Sequence, residues 1–324
     1  MFKPIIKIEN FEIGEIMQRI NKFVVKVRIR NKITFAHLNN TGRLEEFVRK
    51  GRIGIFLPIK GRKTKFRLSM IKENSYASII DTSLQMKSFE IALEKGYLSW
   101  FRGVKILKRN FKIIDTNGTR IENTRMGREY IHELNTNTYM NESQIDKTRM
   151  EHEYKITNDT RIDYTNETRI NKFVGNSYES LIDYLIEYKN KFYLVEIKSA
   201  VMKKKNLAMY PDCPSIRGQK HIKALINMNG NQLKNIQEWQ RIENMNGNEF
   251  NKRITTNKIY SMIVFIAGMK NINAFTPNKD ADPKIYELLK EAKRKGVKIK
   301  AIQIYFDLRR KEVILKNDNL KVIL

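Results

Sequence analysis

Two apolar runs that are separated by only two residues constrain the fold of this chain more than any other feature. The runs cover 181–188 and 191–198, and Lys189-Asn190 lies between them. Such a pair of runs around a two-residue turn predicts a β-hairpin. When the strands are paired across this turn, Asp183 lies directly opposite Glu196 on one face of the sheet. The hairpin is therefore predicted to bring two carboxylates together.

Lys198 completes a set of side chains that suits phosphodiester chemistry. It follows Glu196 by two residues, so both side chains point to the same face. Two facing carboxylates repel each other, and a divalent cation between them relieves the repulsion. We expect Asp183, Glu196 and the carbonyl of Ile197 to bind Mg²⁺ or Mn²⁺. We expect Lys198 to hold a water or hydroxide and to stabilise charge on phosphate. The alternative is a surface hairpin whose charged side chains form only salt bridges.

The segment that follows the hairpin alternates predicted helices with predicted strands. Pro214-Ser215 is a helix start signal, and Pro283 falls in the first turn of a second predicted helix. This alternation indicates an α/β domain. The predicted elements are a helix at 215–228, a strand at 259–267, a helix at 282–296 and a strand at 297–306.

Residues 1–80 are predicted to form several short β-strands. Asn31-Lys32 is a plausible two-residue turn, and Gly51 and Gly61 fall at further turns. Several short strands in so few residues suggest a small barrel such as an oligonucleotide-binding (OB) fold. A helix is expected next, at 84–101, with its end near Gly96. The predicted strands cover 23–30, 33–38, 52–57 and 65–71.

Two polar segments interrupt these patterns. The segment 115–170 repeats the triplet Thr-Arg-Ile or Thr-Arg-Met at irregular spacing and lacks apolar periodicity, and 229–256 is also polar. Both are predicted to be insertions. The predicted domains are an OB-like nucleic-acid-binding domain at 1–83, and an α/β domain formed by 84–114 and 171–324.

The charge of the chain indicates a polyanionic partner. Lys and Arg outnumber Asp and Glu by 62 to 35, which gives a net charge of +27. Residues 1–114 carry a net charge of +16 and 171–324 carry +14, whereas 115–170 carry −3. Basic domains attract nucleic acid by releasing counterions from phosphate. An anionic membrane surface and a merely cationic solvated surface are the alternatives.

The remaining composition favours the cytoplasm. Cys213 is the only cysteine, which excludes an intrachain disulfide and fits a reducing compartment. The chain has no apolar run of about 18 residues, so no membrane span is expected. The first residues lack the apolar core of a signal peptide.

Several short motifs resemble the sugar fermentation stimulation protein A family. They occur in the order typical of that family and lie almost entirely outside the two polar segments. The motifs are Asn39-Asn40-Thr41-Gly42-Arg43-Leu44-Glu45, Ser180-Leu181-Ile182-Asp183-Tyr184-Leu185, Val195-Glu196-Ile197-Lys198, Tyr210-Pro211-Asp212, Arg217-Gly218-Gln219-Lys220-His221, Phe275-Thr276-Pro277 and Asp282-Pro283.

This resemblance implies an N-terminal OB-type barrel and a C-terminal restriction-endonuclease-like domain of the PD-(D/E)xK class with a mixed sheet. It assigns metal binding and catalysis of phosphodiester hydrolysis to Asp183, Glu196 and Lys198. The family is also associated with DNA binding and with the regulation of sugar metabolism. The chain departs from the family where Leu181 replaces an arginine.

Basic and polar residues near these motifs are candidates for nucleic-acid contacts. Asn40 and Arg43 belong to a predicted loop, and His221 belongs to the motif that opens a predicted helix. Each also has a plain structural interpretation: turn formation for Asn40, a solvated charge for the lysines, and packing for His221. The candidates are Asn40, Arg43, Arg62, Lys63, Lys65, Lys203, Lys204, Arg217, Gln219, Lys220 and His221.

Three functions are compatible with these patterns. The first is a Mg²⁺-dependent nuclease acting on single- or double-stranded DNA. The second is a non-enzymatic DNA-binding regulator that keeps the nuclease fold, and the third is an RNA-binding module that uses the barrel. No protein partner is indicated, and a homodimer is left open.

Overall fold

The structure, a computed structural model, describes residues 2–61, 64–115, 178–231 and 257–324. Met1–Ile113 and Ser180–Leu324 form one compact unit, to which the description below refers. Ile114–Glu179 form a second unit, nearly all of which lies outside the described residues.

Strands β2 to β6 close into a five-stranded barrel in the first third of the chain. Their order is β4-β3-β2-β5-β6, and a short parallel pairing of Ala36 with Phe66 joins β6 back to β4. Alternate residues such as Ile16, Val27 and Leu68 fill its interior. The strands are β1 Lys3–Lys7, β2 Glu12–Arg19, β3 Val24–Ile29, β4 Lys32–His37, β5 Ile53–Pro58, β6 Phe66–Lys72 and β7 Tyr76–Ile79.

A mixed sheet with helices on both faces follows the barrel. Strand β13 runs parallel to β10 and β15, and β9 is antiparallel to β10. Helix α1 lies in the core on one face of this sheet, and α2 and α3 lie in the core on the other. The elements are α1 Thr82–Glu94, β8 Lys105–Asp115, β9 Tyr178–Tyr188, β10 Lys191–Ser199, β11 Met202–Lys204, β12 Leu207–Tyr210, α2 Ile216–Met228, β13 Ile259–Ala267, β14 Ala274–Pro277, α3 Pro283–Arg294, β15 Lys298–Asp307, β16 Glu312–Asn317 and β17 Lys321–Val322.

The barrel and the α/β sheet are hydrogen-bonded into one continuous sheet. Strand β7 connects β6 of the barrel to β15, and β1 pairs with β16 near the end of the chain. A smaller sheet with the order β11-β12-β14-β17 lies beside it. The predicted fold class, a small OB-like barrel with a mixed-sheet α/β domain, is thus confirmed. None of the helices in the described residues is long and apolar enough to cross a membrane.

Two local predictions need correction. The first hairpin turns at Arg30-Asn31, both with positive φ, because Ile29 pairs with Lys32; the predicted turn was one residue further on. The helix predicted at 84–101 ends at Glu94, before Gly96 at φ +64°. Leu98 and Phe101 suggested a longer helix because they are apolar. They are instead buried in the core beyond the end of the helix.

Helices α2 and α3 begin where the sequence predicts. Ser215 caps α2 by accepting a hydrogen bond from the Gly218 amide at 3.1 Å. Asp282 caps α3 through the Ile285 amide at 3.0 Å and also accepts the Ser215 amide at 2.9 Å. The two helix starts are thereby joined, which fixes the start of α2 beside the start of α3.

Candidate active site

The β9–β10 hairpin has the predicted register. Lys189 and Asn190 form the turn with positive φ, and pairing runs from Tyr188–Lys191 to Tyr184–Val195. Beyond that pair the two strands are joined through the side chain of Asp183. Its Oδ2 accepts the Ile197 amide at 2.7 Å, and its own amide lies 3.4 Å from Oε2 of Glu196. The two carboxylates are therefore next to each other at the end of the hairpin.

Glu196 is the buried centre of this cluster. Its side chain is 3% exposed, and Oε1 accepts a hydrogen bond from Nζ of Lys198 at 2.7 Å. Nδ1 of His221, from the first turns of α2, contacts the same oxygen. The structure thus brings together the three residues predicted to be catalytic and adds a histidine to them.

Opposing effects of burial and charge set the protonation of the cluster. Burial and the nearby carboxylate of Glu196 raise the pKa of Asp183 to about 7. Burial would raise the pKa of Glu196 as well, but Lys198 and His221 lower it to about 2. Burial would lower the pKa of Lys198, and the attraction of Glu196 outweighs this effect and raises it. Near neutral pH, Glu196 is therefore ionised and Lys198 protonated, while Asp183 titrates.

A cavity of about 480 Å³ opens over this cluster, and we call it the acidic cavity. Its walls come from the end of β10, the β12–α2 loop, the start of α1 and the β4–β5 loop of the barrel. The cavity is large enough for a small ligand or one nucleotide unit. Besides the cluster, the lining includes Asn40, Thr41, Gly42, Tyr210, Asp212, Cys213 and Arg217.

The donor set at the floor of this cavity fits a hard divalent cation. Asp183 and Glu196 offer carboxylate oxygens, and the predicted third ligand, Ile197, also lines the cavity. Burial and, after it, repulsion by Glu196 raise the pKa of Asp183, and a bound cation would favour the ionised carboxylate against both effects. Within the described residues there is no group of three or more His, Cys, Asp or Glu side chains placed to hold a metal ion.

The barrel contributes its β4–β5 loop to the wall of the acidic cavity. Asp212 accepts the Leu44 amide at 3.0 Å, and a Cβ on Gly42 would lie 2.5 Å from the same carboxylate. Arg19 donates to the Gly42 carbonyl at 2.8 Å. The loop therefore packs tightly against the β12–α2 loop, and only glycine allows this approach.

The predicted nucleic-acid residues fall into different environments. Asn40 is buried and donates to the Ile80 carbonyl at 3.0 Å, while its own Oδ1 accepts the Gly42 amide. Gln219 donates to the carboxylate of Asp282 at 3.1 Å. The side chains of both residues are thus held by the protein itself.

The basic candidates are mostly exposed. Arg217 lines the acidic cavity, and the exposed Arg43 extends from the loop that forms its wall. Lys65 and Lys220 are exposed away from the cavity lining, and Lys204 is 3.7 Å from Asp280. Lys203 lines a different cavity. Arg62 and Lys63 lie outside the described residues.

Some residues of the site have no role predicted from the sequence. Tyr210 and Asp212 belong to one of the motifs that carry the family resemblance. The motif did not predict which residues their side chains contact. Cys213 is half-buried in the cavity wall, and burial raises the pKa of its thiol. Glu90 of α1 lies outside this site: it does not line the cavity and pairs with Arg109 at 2.8 and 2.9 Å.

The fold and the site define a class of protein in which an OB barrel is joined to a mixed-sheet α/β domain with a buried carboxylate–lysine cluster. The family profile described as "SfsA N-terminal OB domain" matches residues 17–80. The profile described as "Sugar fermentation stimulation protein RE domain" matches 123–237 and 252–310, ranges that take in much of the two predicted insertions. This chain belongs to the sugar fermentation stimulation protein family.

Individual relatives agree over nearly the whole chain. A sugar fermentation stimulation protein homolog of Pyrococcus furiosus is 33% identical over 90% of this chain and 88% of the relative. A homolog of Archaeoglobus fulgidus is 29% identical over 98% of both chains. The structure of Pyrococcus furiosus SfsA in complex with Ca²⁺ is similar with a TM-score of 0.67 and 30% identity, and the match covers 99% of this chain and 100% of that one.

Proposed function

We propose that this chain is a cytoplasmic DNA-binding protein whose α/β domain hydrolyses phosphodiester bonds with a divalent cation. The observation that carries the proposal is the convergence of Asp183, Glu196 and Lys198 on the floor of the acidic cavity. A structural ion pair needs one carboxylate, whereas this cluster buries two carboxylates beside one lysine. The second buried carboxylate costs stability without a cation, which suggests a functional reason for its presence.

In this proposal Asp183 and Glu196 hold Mg²⁺ or Mn²⁺ together with the carbonyl of Ile197. When bound, the cation would lower the pKa of water and polarise a phosphoryl oxygen. The relative from Pyrococcus furiosus was solved in complex with Ca²⁺, a divalent cation that also takes oxygen ligands, which supports this proposal.

Lys198 has an electrostatic role in the proposed reaction. Its pKa is raised by Glu196, so it stays protonated near neutral pH. It therefore donates hydrogen bonds and positive charge to a phosphate oxygen or to the attacking water. Arg217 and the exposed Arg43 are placed at and beside the cavity wall to hold neighbouring phosphates of the strand.

Two features favour the second candidate, a DNA-binding regulator without catalytic activity. Leu181, which replaces an arginine of the family, is 51% exposed and supplies no charge beside Asp183. Oε1 of Glu196 is already engaged by Lys198 and His221. A protein that only binds DNA keeps the basic surface and requires no turnover at the cluster.

Cleavage assays with single-stranded DNA, double-stranded DNA and RNA of the same sequence distinguish the nuclease from the regulator and the RNA-binding module. We expect wild type to cut DNA with Mg²⁺ or Mn²⁺ and Lys198→Ala to lose about 100-fold or more of the rate. Lys191→Ala, at the exposed far end of the same strand, is the matched control and should cut like wild type. DNA binding without cleavage by any variant would favour the regulator, and a preference for RNA would favour the RNA-binding module.

A further inference from the structure

A second cavity, of about 330 Å³, lies on the other side of strand β11 from the acidic cavity. Met202 of this short strand lines the acidic cavity, and the next residue, Lys203, lines the second one. The remaining walls come from the β4–β5 loop, the β6–β7 hairpin and the loop after β13. We call it the basic cavity, and its charged lining residues are Arg49, Arg52, Lys203, Lys270, Glu46 and Glu73.

The charges of the basic cavity favour an anion. Four cationic side chains face two carboxylates, and Glu73 is neutralised by Arg52 at 2.9 Å. Within the described residues, Arg49, Lys203 and Lys270 have no ion pair with a carboxylate. Converging cations of this kind leave a net positive charge of about two, which is enough to balance one phosphate dianion.

Two of the cations, Lys270 and Arg49, are not neutralised by a carboxylate of the described residues. Nζ of Lys270 lies 5.2 Å from the ring centres of both Tyr76 and Tyr305. Aromatic faces orient an ammonium group and leave its full charge available. Arg49, an exposed residue of the lining, supplies a guanidinium that has no ion pair with a carboxylate among the described residues. Both groups are therefore able to bind a further anion.

We propose that the basic cavity binds a phosphate monoester. A guanidinium beside ammonium groups is the combination that proteins use for phosphate, and a volume of about 330 Å³ suits a small ligand. Lys203 is the contact from β11, and Lys270 is the contact from the loop after β13. This site does not use Asp183, Glu196 or Lys198, so it stands independently of the proposed nuclease reaction.

Calorimetric titration of the full chain with inorganic phosphate tests this proposal. Wild type should show saturable binding, and Lys203→Gln and Lys270→Gln should each weaken it about tenfold. Lys204→Gln is the matched control because it removes the same charge from the next, exposed residue of β11. Asp183→Asn should leave phosphate affinity unchanged, which distinguishes this site from the acidic cavity.

Three results would contradict a phosphate monoester site in the basic cavity. The absence of saturable phosphate binding, or equal weakening by Lys203→Gln and Lys204→Gln, would overturn the proposal. A short DNA oligonucleotide that competes with phosphate, and whose own affinity falls in Lys203→Gln but not in Lys284→Gln at an exposed position of α3, would assign the cavity to a nucleic-acid phosphodiester instead.

Discussion

Asp183 has an electrostatic cost that the rest of the cluster does not remove. Lys198 and His221 both interact with Glu196, whereas Asp183 relies mainly on one backbone amide. Its pKa is consequently raised to about 7, first by burial and then by Glu196. A carboxyl group with a raised pKa in the folded state contributes stability at low pH and loses it as the pH rises through that pKa.

The change Asp183→Asn should therefore stabilise the protein at alkaline pH when no divalent cation is present. Asparagine keeps an oxygen for the Ile197 amide and cannot ionise. We expect the free energy of unfolding to exceed that of wild type by about 1–3 kcal/mol at pH 8, with the difference shrinking toward pH 4. Urea unfolding at several pH values measures it. A variant that is less stable than wild type at pH 8 would show that Asp183 is not strained by its charge.

At the scale of elements, the β4–β5 loop of the barrel packs closely on the β12–α2 loop, and both loops line the acidic cavity. Gly42 of the β4–β5 loop packs on Asp212 of the β12–α2 loop, and Asp212 is held by the Leu44 amide. A methyl group at Gly42 must displace a short, hydrogen-bonded carboxylate. The geometry of this part of the cavity wall consequently depends on the close approach of Gly42 to Asp212.

The change Gly42→Ala is expected to destabilise the protein by about 1–3 kcal/mol through this steric conflict. Thr41→Ala, at the exposed neighbouring position of the same loop, should differ from wild type by less than about 0.5 kcal/mol. Thermal and urea unfolding of the two variants give the comparison. Equal stability of Gly42→Ala and wild type would mean that the two loops are not tightly packed.

Element patterns in the sequence predict much of the fold but not the contacts between distant segments. The strand β13 and helix α2 agree with their predicted bounds because apolar runs and capping residues are local signals. Strand β1 was not predicted, because its partner β16 lies at the other end of the chain. Strand β8 was not predicted for another reason: its sequence is rich in charged residues and includes Asn110 at φ +51°.

In the candidate site, too, local patterns predict individual residues but not the contacts between distant segments. Asp183, Glu196 and Lys198 follow from strand alternation and hairpin register, which are set within twenty residues of sequence. The contact of His221 with Glu196 and the position of Asp212 depend on how α2 and its preceding loop pack on β10. No local pattern specifies that packing, so the sequence did not indicate these contacts.

At the scale of the whole molecule, the charge of +27 governs the proposed binding of DNA. Both the N-terminal third and the C-terminal half are basic, at +16 and +14. Binding through about 5–8 phosphates would make the affinity fall with salt at a logarithmic slope of about −4 to −7. Fluorescence anisotropy with a labelled oligonucleotide between about 50 and 200 mM salt measures this slope. An affinity that does not change over that range would contradict an electrostatic interface.

The central claim is that Asp183 and Glu196 form a divalent-cation site, and titration with Mn²⁺ tests it most directly. Electron paramagnetic resonance reports free Mn²⁺ and requires no catalytic turnover. Wild type should bind one Mn²⁺ that Asp183→Asn, which stays folded in the account above, binds at least about tenfold more weakly. Glu287→Gln, which removes an exposed carboxylate from α3, should bind Mn²⁺ like wild type. Equal Mn²⁺ affinity of wild type and Asp183→Asn would contradict the claim.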